Sequence, residues 1–442
     1  MSDFSALPGS PSPLNLLRER RFLPLFIAQF LGALNDNIIK NAMIVLLTFQ
    51  ASHWTTLSPG VLANLAAGIF ILPFFLFSAS AGQLADKYDK AWLTRWVKLF
   101  ELMIVCIAGV GFLMQQLPVL LLALFLLGLH STVFGPIKYA ILPQHLAASE
   151  LMGGNALIET GTFIAILSGS LLGGLLAGVE GSTVWIPVVG GVIALGGYFA
   201  ARGIPLAVPP APTLRMSRHP LAETLRNLAY ARQNRPAFGA LLGISWFWLY
   251  GAIFLVQIPA YAKDILRGNE SSVTLLLAAF IAGIGAGSFL CEWLTRQQRV
   301  RTRLLILAGG LGLSLFALDL YFASQAIGLG AQPSATGILL SATLVLHQPT
   351  TVRVLMDLTG LGICGGLFTV PLYTLLQQAS EPAYRARMIA ANNIVNALFM
   401  VVGALGAAAM LAAGMSIPAL FALVALANVA AVSGLYWVLP KI

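Results

Sequence analysis

Charged residues are what this 442-residue chain lacks: Asp, Glu, Lys and Arg make up 9% of it, against about 25% in an ordinary soluble domain. With 58% hydrophobic residues and a mean hydropathy of +0.86, that shortage excludes a soluble enzyme. Cysteine is nearly absent too. Cys106, Cys291 and Cys364 stand singly in or beside apolar runs with no CxxC. No disulfide, metal site or cofactor is implied, and inert buried thiols are expected. Acidic residues are outnumbered 16 to 25, giving a net charge of +9. No basic patch with interleaved aromatics lies outside the apolar runs, so no nucleic-acid partner is expected.

What is present is apolar sequence in membrane-length runs. A crossing takes about 20 apolar residues, and twelve spans are read at 22–49, 58–80, 92–115, 118–141, 151–178, 184–201, 237–262, 272–294, 302–323, 353–377, 385–412 and 416–438. Spans one and five are long enough to include interfacial turns. The basic run 18–21 followed by 22–34 imitates a signal peptide, but no small-residue cleavage pattern precedes Asp36, so the first helix is expected to be retained. Residues 324–352 are uncharged and rich in Ser, Thr, Gly and Pro, and are expected to form an outer loop that dips to the interface.

Basic residues set the orientation. With both termini inside, Arg18, Arg20, Arg21, Lys87, Lys90, Arg95, Arg296, Arg299, Arg301, Arg303, Arg385, Arg387 and Lys441 fall in the cytoplasm, with the six arginines of 202–236, Arg218 among them. Only Lys263, Arg267 and Arg353 fall near the outer face. The stretch 202–236 is the longest soluble one. Its prolines predict an extended first half, and 221–233 fits a basic amphipathic helix on the inner surface. The chain is thus divided into a cytoplasmic tail 1–21, a six-helix bundle 22–201, a basic linker 202–236 and a second six-helix bundle 237–442. This is the all-α, two-bundle plan of transporters with a midplane site. An internal echo agrees with it. Residues 134–142 in span four (FGPIKYAIL) resemble 368–376 in span ten (FTVPLYTLL), and 154–159 in span five resemble 391–396 in span eleven.

The first span carries the chemistry. Its centre reads Asn35-Asp36-Asn37-Ile38-Ile39-Lys40-Asn41. A charge at membrane depth costs at least about 2.5–3.5 kcal/mol and usually faces a water-filled interior. On a helical wheel Gln29, Asp36, Asn37, Lys40 and Asn41 share a sector of about 100°. Either Asp36 and Lys40, four apart, close a salt bridge that only locks the helix, or this face is a cavity wall. Five polar groups exceed what one pair needs, which favours the wall.

Between spans two and three lies Gly82-Gln83-Leu84-Ala85-Asp86-Lys87-Tyr88-Asp89-Lys90, which resembles the G-x-L-a-D-[RK]-x-G-[RK]-[RK] loop signature of the major facilitator superfamily. Gly82 permits close helix approach, Asp86 suits a helix N-terminus or a basic partner, and Lys87 and Lys90 suit the anionic inner leaflet. The implied role is a latch on the outward-open state. Asp89 stands where the pattern has Gly. Gly287-Ser288-Phe289-Leu290-Cys291-Glu292 with Arg296 holds the corresponding place in the second half.

Family resemblance extends further. Residues 30–37 (FLGALNDN) with Lys40 and Asn41, 134–143 (FGPIKYAILP), and 243–251 (GISWFWLYG) running to 259–263 (PAYAK) resemble signatures of the bacterial lysophospholipid transporter family. The third stretch, with 285–292, resembles transporters fused to an acyltransferase. Membership implies inward movement of lysophospholipids, chiefly lysophosphatidylethanolamine, across the inner membrane for reacylation. No histidine starts the H-x4-D pair that such acyltransferases use, so a separate enzyme would reacylate the product. The chain is expected to work as a monomer among membrane lipids and to be no enzyme itself.

Such a headgroup needs a carboxylate for its ammonium and a donor for its phosphate, which Asp36 and Lys40 supply. Asn155 and Glu159 share a face of span five, and Asn392 and Asn396 a face of span eleven. Each pair either continues a polar track or provides interhelical hydrogen bonds. Lys138, beside Tyr139, either snorkels to headgroups or pairs with Glu159 as an inner gate. Glu101 has Lys98 three residues earlier as a partner, whereas Asp319 has none in its own helix. Arg353 and Asp357, four apart, are an outer gate or a helix-stabilising pair. The aromatic run Trp246, Phe247, Trp248 and Tyr250 either contacts an acyl chain or packs in an interhelical seam, the second being favoured. Two rivals stand beside the lipid transporter. One is a proton-coupled drug or metabolite exporter of the same superfamily, using Asp36, Glu101 or Glu159. The other is a transport-inactive scaffold that docks an acyltransferase through 202–236.

Overall fold

The computed structural model describes residues 12–49, 59–217, 219–296, 299–330 and 340–439. Arg218, Lys441 and 331–339 of the expected outer loop lie outside the described residues. Twelve helices are long and apolar enough to cross a membrane. They are α1 (Leu23–Phe49), α2 (Pro59–Lys87), α3 (Lys90–Leu113), α4 (Leu117–His145), α5 (Leu151–Ala177), α6 (Ser182–Arg202), α8 (Arg235–Asp264), α9 (Glu270–Arg296), α10 (Thr302–Gly330), α12 (Pro349–Ala379), α13 (Arg385–Ala412) and α14 (Ile417–Val438). Two shorter helices are α7 (Pro220–Gln233) in the linker and α11 (Ala342–Leu346). In lipid each backbone group must be satisfied within its own segment, which is why continuous helices are the form these runs take.

The chain divides into two compact units, 11–234 with 376–397, and 235–375 with 398–442. In the first, α1 packs on α5 and α6, α2 on α4, and α3 on α4 and α6. In the second, α10 and α8 pack on α14, and α8 on α9. No hydrophobic effect drives helices together in lipid, so close approach between small residues matters more. A Cβ on Gly283 would lie 2.2 Å from the Thr359 carbonyl oxygen, and one on Gly366 would lie 2.5 Å from the Ser288 nitrogen. The spacing of Gly283 and Gly287 on α9, against Gly362 and Gly366 on α12, lets these two backbones touch.

Four sequence expectations change, the first being that Cys106 is exposed while Cys291 and Cys364 are buried. Spans one and five contain no interfacial turn; α1 and α5 are continuous. Residues 82–87 are not loop, because α2 runs through Lys87 and only Tyr88 and Asp89 form the turn. Asp89 caps α3, its carboxylate accepting from the Trp92 backbone N–H at 2.7 Å. A capping carboxylate at φ −59° removes the need for glycine there. Finally, the outer loop is shorter than 324–352, since α10 continues to Gly330 and α12 begins at Pro349. Leu340 pairs with the α8–α9 turn, donating to Arg267 at 2.7 Å and accepting from Asn269 at 2.9 Å.

The linker is held along the basic end of the first unit. Its backbone bonds to Asp86, Asp89, Lys90 and Gln144. On α7 the buried face is Glu223, Thr224, Asn227 and Ala231, Asn227 accepting from the Tyr384 hydroxyl at 2.6 Å. Nearby, Arg21 clamps the start of α5 through both oxygens of Glu150, at 2.6 and 2.7 Å. The guanidinium holds that carboxyl below the ordinary carboxylate range.

Candidate functional site

The polar sector of α1 divides between two neighbours. Asn37 and Asn41 each donate back to a carbonyl one turn earlier, at 2.8 and 2.9 Å, and Asn41 also donates to Ser170 on α5 at 3.0 Å. Gln29 accepts from Thr162 on α5 at 3.0 Å. Asn35 turns the other way: it is fully buried and donates to Glu101 on α3 at 2.9 Å. Asp36 and Lys40 do not form an ion pair. Lys40 donates to Asn37 at 3.0 Å and lies over the Phe70 ring, while Asp36 accepts from Ser131 on α4 at 2.5 Å.

Behind Asp36 lies a buried ionic cluster. Lys98 and Glu101 pair on α3 at 2.7 Å with side chains 0% and 1% exposed. His130 of α4, 1% exposed, sets one ring nitrogen 3.4 Å from a Glu101 oxygen and the other 3.7 Å from an Asp36 oxygen. Lys98 also lies over the Phe134 ring. Four ionisable groups from three helices thus share one dry site, an arrangement that persists only when charges are mutually compensated. Among the described residues no group of His, Cys, Asp and Glu has a metal-binding arrangement.

Toward the basic end, α4 and α5 meet through Glu159, which accepts from the Tyr139 hydroxyl. Lys138 donates to Thr162 at 3.5 Å rather than closing a salt bridge with Glu159. Asn155 and Gln377 exchange hydrogen bonds at 2.7 and 3.0 Å, and Gln377 donates to the Tyr139 carbonyl at 3.0 Å. Asn155 therefore serves as interhelical hydrogen bonding in this structure. Asn392 is fully buried, and neither amide atom has a hydrogen-bond partner among the described residues. Asn396 is also buried.

The signature residues meet the start of α13. Asp86, fully buried, accepts from the backbone N–H groups of Ala386 and Arg387 at 3.0 and 3.3 Å and from the Arg387 guanidinium at 3.0 Å. It so satisfies orphan donors of a helix N-terminus and a cation at once. A Cβ on Gly82 would lie 2.7 Å from the Ala390 Cβ and 2.9 Å from the Arg387 Cα. Lys87 lies over the Tyr88 ring, and Lys90 is buried with no hydrogen-bond partner for its ammonium among the described residues. In the second unit Glu292 and Arg296 pair at 3.5 Å. Arg353 pairs with Asp319 of α10 at 2.5 and 2.9 Å, not with Asp357, because the guanidinium fork reaches across to the neighbouring helix. Asp357 is buried beside them.

Sequence reasoning missed His130, Ser131 and Gln377. An ionisable residue near the middle of the apolar run of α4 was signal enough for His130, since such residues in membrane spans rarely lack a task. Gln377 had no such mark.

A sequence profile described as Major Facilitator Superfamily matches residues 25–359. The chain is 26% identical over 403 residues to the lysophospholipid transporter LplT of Cronobacter sakazakii, covering 88% of this chain and 87% of that protein. It is 26% identical to LplT of Escherichia coli O1:K1 over 90% of this chain and 92% of that one. Among solved structures, the human organic anion transporter MFSD10 aligns with a TM-score of 0.71 at 12% identity, covering 96% of this chain and 100% of that one. The E. coli fucose:proton symporter FucP aligns at 0.68 and 13% over the same shares. With twelve membrane-length helices, a signature glycine and aspartate seated on α13, and a profile match across most of its length, the chain belongs to the major facilitator superfamily of transporters.

Proposed function

We propose that this transporter moves lysophospholipids, chiefly lysophosphatidylethanolamine, to the inner leaflet of the bacterial inner membrane by alternating access, for reacylation by a separate enzyme. Both termini lie in the cytoplasm, two six-helix bundles (22–201 and 237–442) flank the linker, and a monomer suffices. The observation that carries the reading is the state of Asp36 and Lys40. They stand one turn apart at the centre of a membrane-length helix, yet each is held by other partners and neither neutralises the other. A carboxylate and an ammonium kept apart at this spacing match a headgroup with an ammonium and a phosphate. The similarity to LplT proteins over nearly the whole chain supports the same substrate class. The acyl chain stays in lipid while the headgroup crosses along the polar face of α1 and α5. Asp86 and Gly82 latch the basic end during the outward-open stage.

Reconstitution tests this. Proteoliposomes holding the wild-type protein should flip lysophosphatidylethanolamine without responding to an imposed ΔpH, and Asp36→Asn should cut the rate at least about tenfold, the loss of roughly one charged hydrogen bond. Unchanged flip in a normally folded Asp36→Asn protein removes Asp36 from the path. Dependence on ΔpH would instead favour the proton-coupled exporter.

A further inference from the structure

His130 is the buried titratable group that the proposed path leaves unused. Its two ring nitrogens face carboxylate oxygens of Glu101 and Asp36 at 3.4 and 3.7 Å. A neutral imidazole would turn a lone pair toward one of these anions, whereas an imidazolium offers an N–H to each. Neither contact closes as a hydrogen bond, so the ring is placed by charge and by its stacking on Phe134. The groups around it are few. From α1 come Asp36 and, one turn on, Lys40; from α3, Lys98 and Glu101; on α4 itself, Lys138 two turns away. The charges of α2 begin only at Asp86, α6 has none before Arg202, and Glu159 of α5 is engaged by Tyr139. Away from the helix ends this bundle therefore holds three lysines, Lys40, Lys98 and Lys138, against three acids, Asp36, Glu101 and Glu159. The polar face is neutral without a proton on His130 and carries +1 with it.

We propose that His130 is a specificity-determining residue, its charge deciding whether the polar face of α1, α4 and α5 favours a net-anionic or a zwitterionic phosphate headgroup. This rests on the lysophospholipid reading above. With His130 charged, Asp36 is neutralised from behind, and Lys40 and Lys138 present net positive charge to a phosphate lacking an amine. With His130 neutral, Asp36 regains its charge for an ammonium and the face matches a zwitterion. His130 touches neither headgroup; it acts through Asp36. A change of one charge about 10 Å from the headgroup, at an effective dielectric of 20 to 40, alters relative affinity by roughly fourfold to seventeenfold.

The test is competition binding on the purified full-length protein in detergent. Lysophosphatidylglycerol and lysophosphatidylethanolamine each displace a fluorescent lysolipid between about pH 5.5 and about pH 9.5, a window wide enough to take an imidazole set between two carboxylates through its charge change. The affinity ratio of glycerol to ethanolamine lipid should fall roughly fourfold to seventeenfold as pH rises. His130→Gln should hold the ratio at its high-pH value at every pH, and His130→Lys at its low-pH value. A role in packing alone would weaken both lipids equally and leave ratio and slope unchanged, which overturns the proposal. So does a pH-independent ratio in the wild-type protein, a result that needs no variant to fold. If neither lysolipid displaces the probe, the lysophospholipid reading fails and this inference falls with it. If both bind and only the ratio is flat, the inference alone fails.

Discussion

The two units of this transporter bury different kinds of polar group. In the one built on α1–α7, four ionisable side chains, Asp36, Lys98, Glu101 and His130, converge in a site where none is more than about a tenth exposed. In the one built on α8–α10, α14 and most of α12, the fully buried polar residues are neutral, and its buried acids, Asp357 and Glu292, stand apart from one another at 3% and 8% exposed. Asn428 donates to the Gly310 carbonyl at 2.6 Å and to Ser314 at 2.9 Å, and accepts from the Trp246 indole at 2.7 Å. Tyr250 and Tyr261 likewise bond to Leu313 and Ser324. Among the described residues, the cross-helix ion pair of that unit is Arg353 with Asp319, whose side chains are 47% and 39% exposed. Neutral bonds hold helices together at small cost, whereas buried ions are tolerated only when each is matched. The difference teaches that the first unit is built around charge and the second around fit.

Glu101→Gln tests the charged unit most severely. It leaves Lys98 and His130 without their shared anion in a dry site, and breaking a buried pair costs about 3–5 kcal/mol. Folded protein should be largely lost, as read by size-exclusion thermal stability in detergent. Lys98→Met with Glu101→Leu, which removes both charges, should recover most of it. A Glu101→Gln protein as stable as wild type would mean the cluster is not held by charge. Next comes Gly82→Ala. The new methyl meets Ala390 and the Arg387 backbone below 3.0 Å, and such overpacking costs about 1–3 kcal/mol. That penalty falls only on the state in which α2 and α13 touch, so lysolipid flip should drop about tenfold while the protein still folds.

Much of this was legible before the structure. Twelve spans follow from hydropathy because bilayer thickness fixes helix length, and their limits shift by only a few residues, except where α2 runs on to Lys87 and α10 to Gly330. The pairing of Lys98 with Glu101 followed from helical spacing, since residues three apart share a face. The partners that cross between helices were not legible. Arg353 and Asp357 satisfy the same spacing rule, yet the arginine bonds to Asp319. Likewise Asn35 and Asp36 adjoin in sequence but point to α3 and α4. Periodicity fixes which residues share a face, not which neighbour that face meets. The partners of His130 were hidden for the same reason, being carboxylates from two other helices.

The neutral unit gives the smaller tests. Asn428→Leu removes three hydrogen bonds at once and leaves the Trp246 indole N–H without its acceptor, while the Ser314 hydroxyl keeps its bond to the Ala425 carbonyl. Interhelical bonds in membranes average well under 1 kcal/mol each, so the expected loss is about 1–2 kcal/mol, visible as a few degrees in the same thermal assay with lysolipid flip retained.

Asp319→Asn should do least. It removes the anion facing Arg353, but both side chains are open to their surroundings, and exposed pairs contribute about 0–1 kcal/mol. Asp357, buried a turn from Arg353 on α12, remains to offset the cation, so even that small loss is partly recovered. The Asp319→Asn protein should therefore melt within about 1 kcal/mol of wild type and flip lysolipid at a near-normal rate. A loss as large as that of Glu101→Gln would place a second matched charge site in the unit read here as neutral, and the contrast between the two units would not survive it.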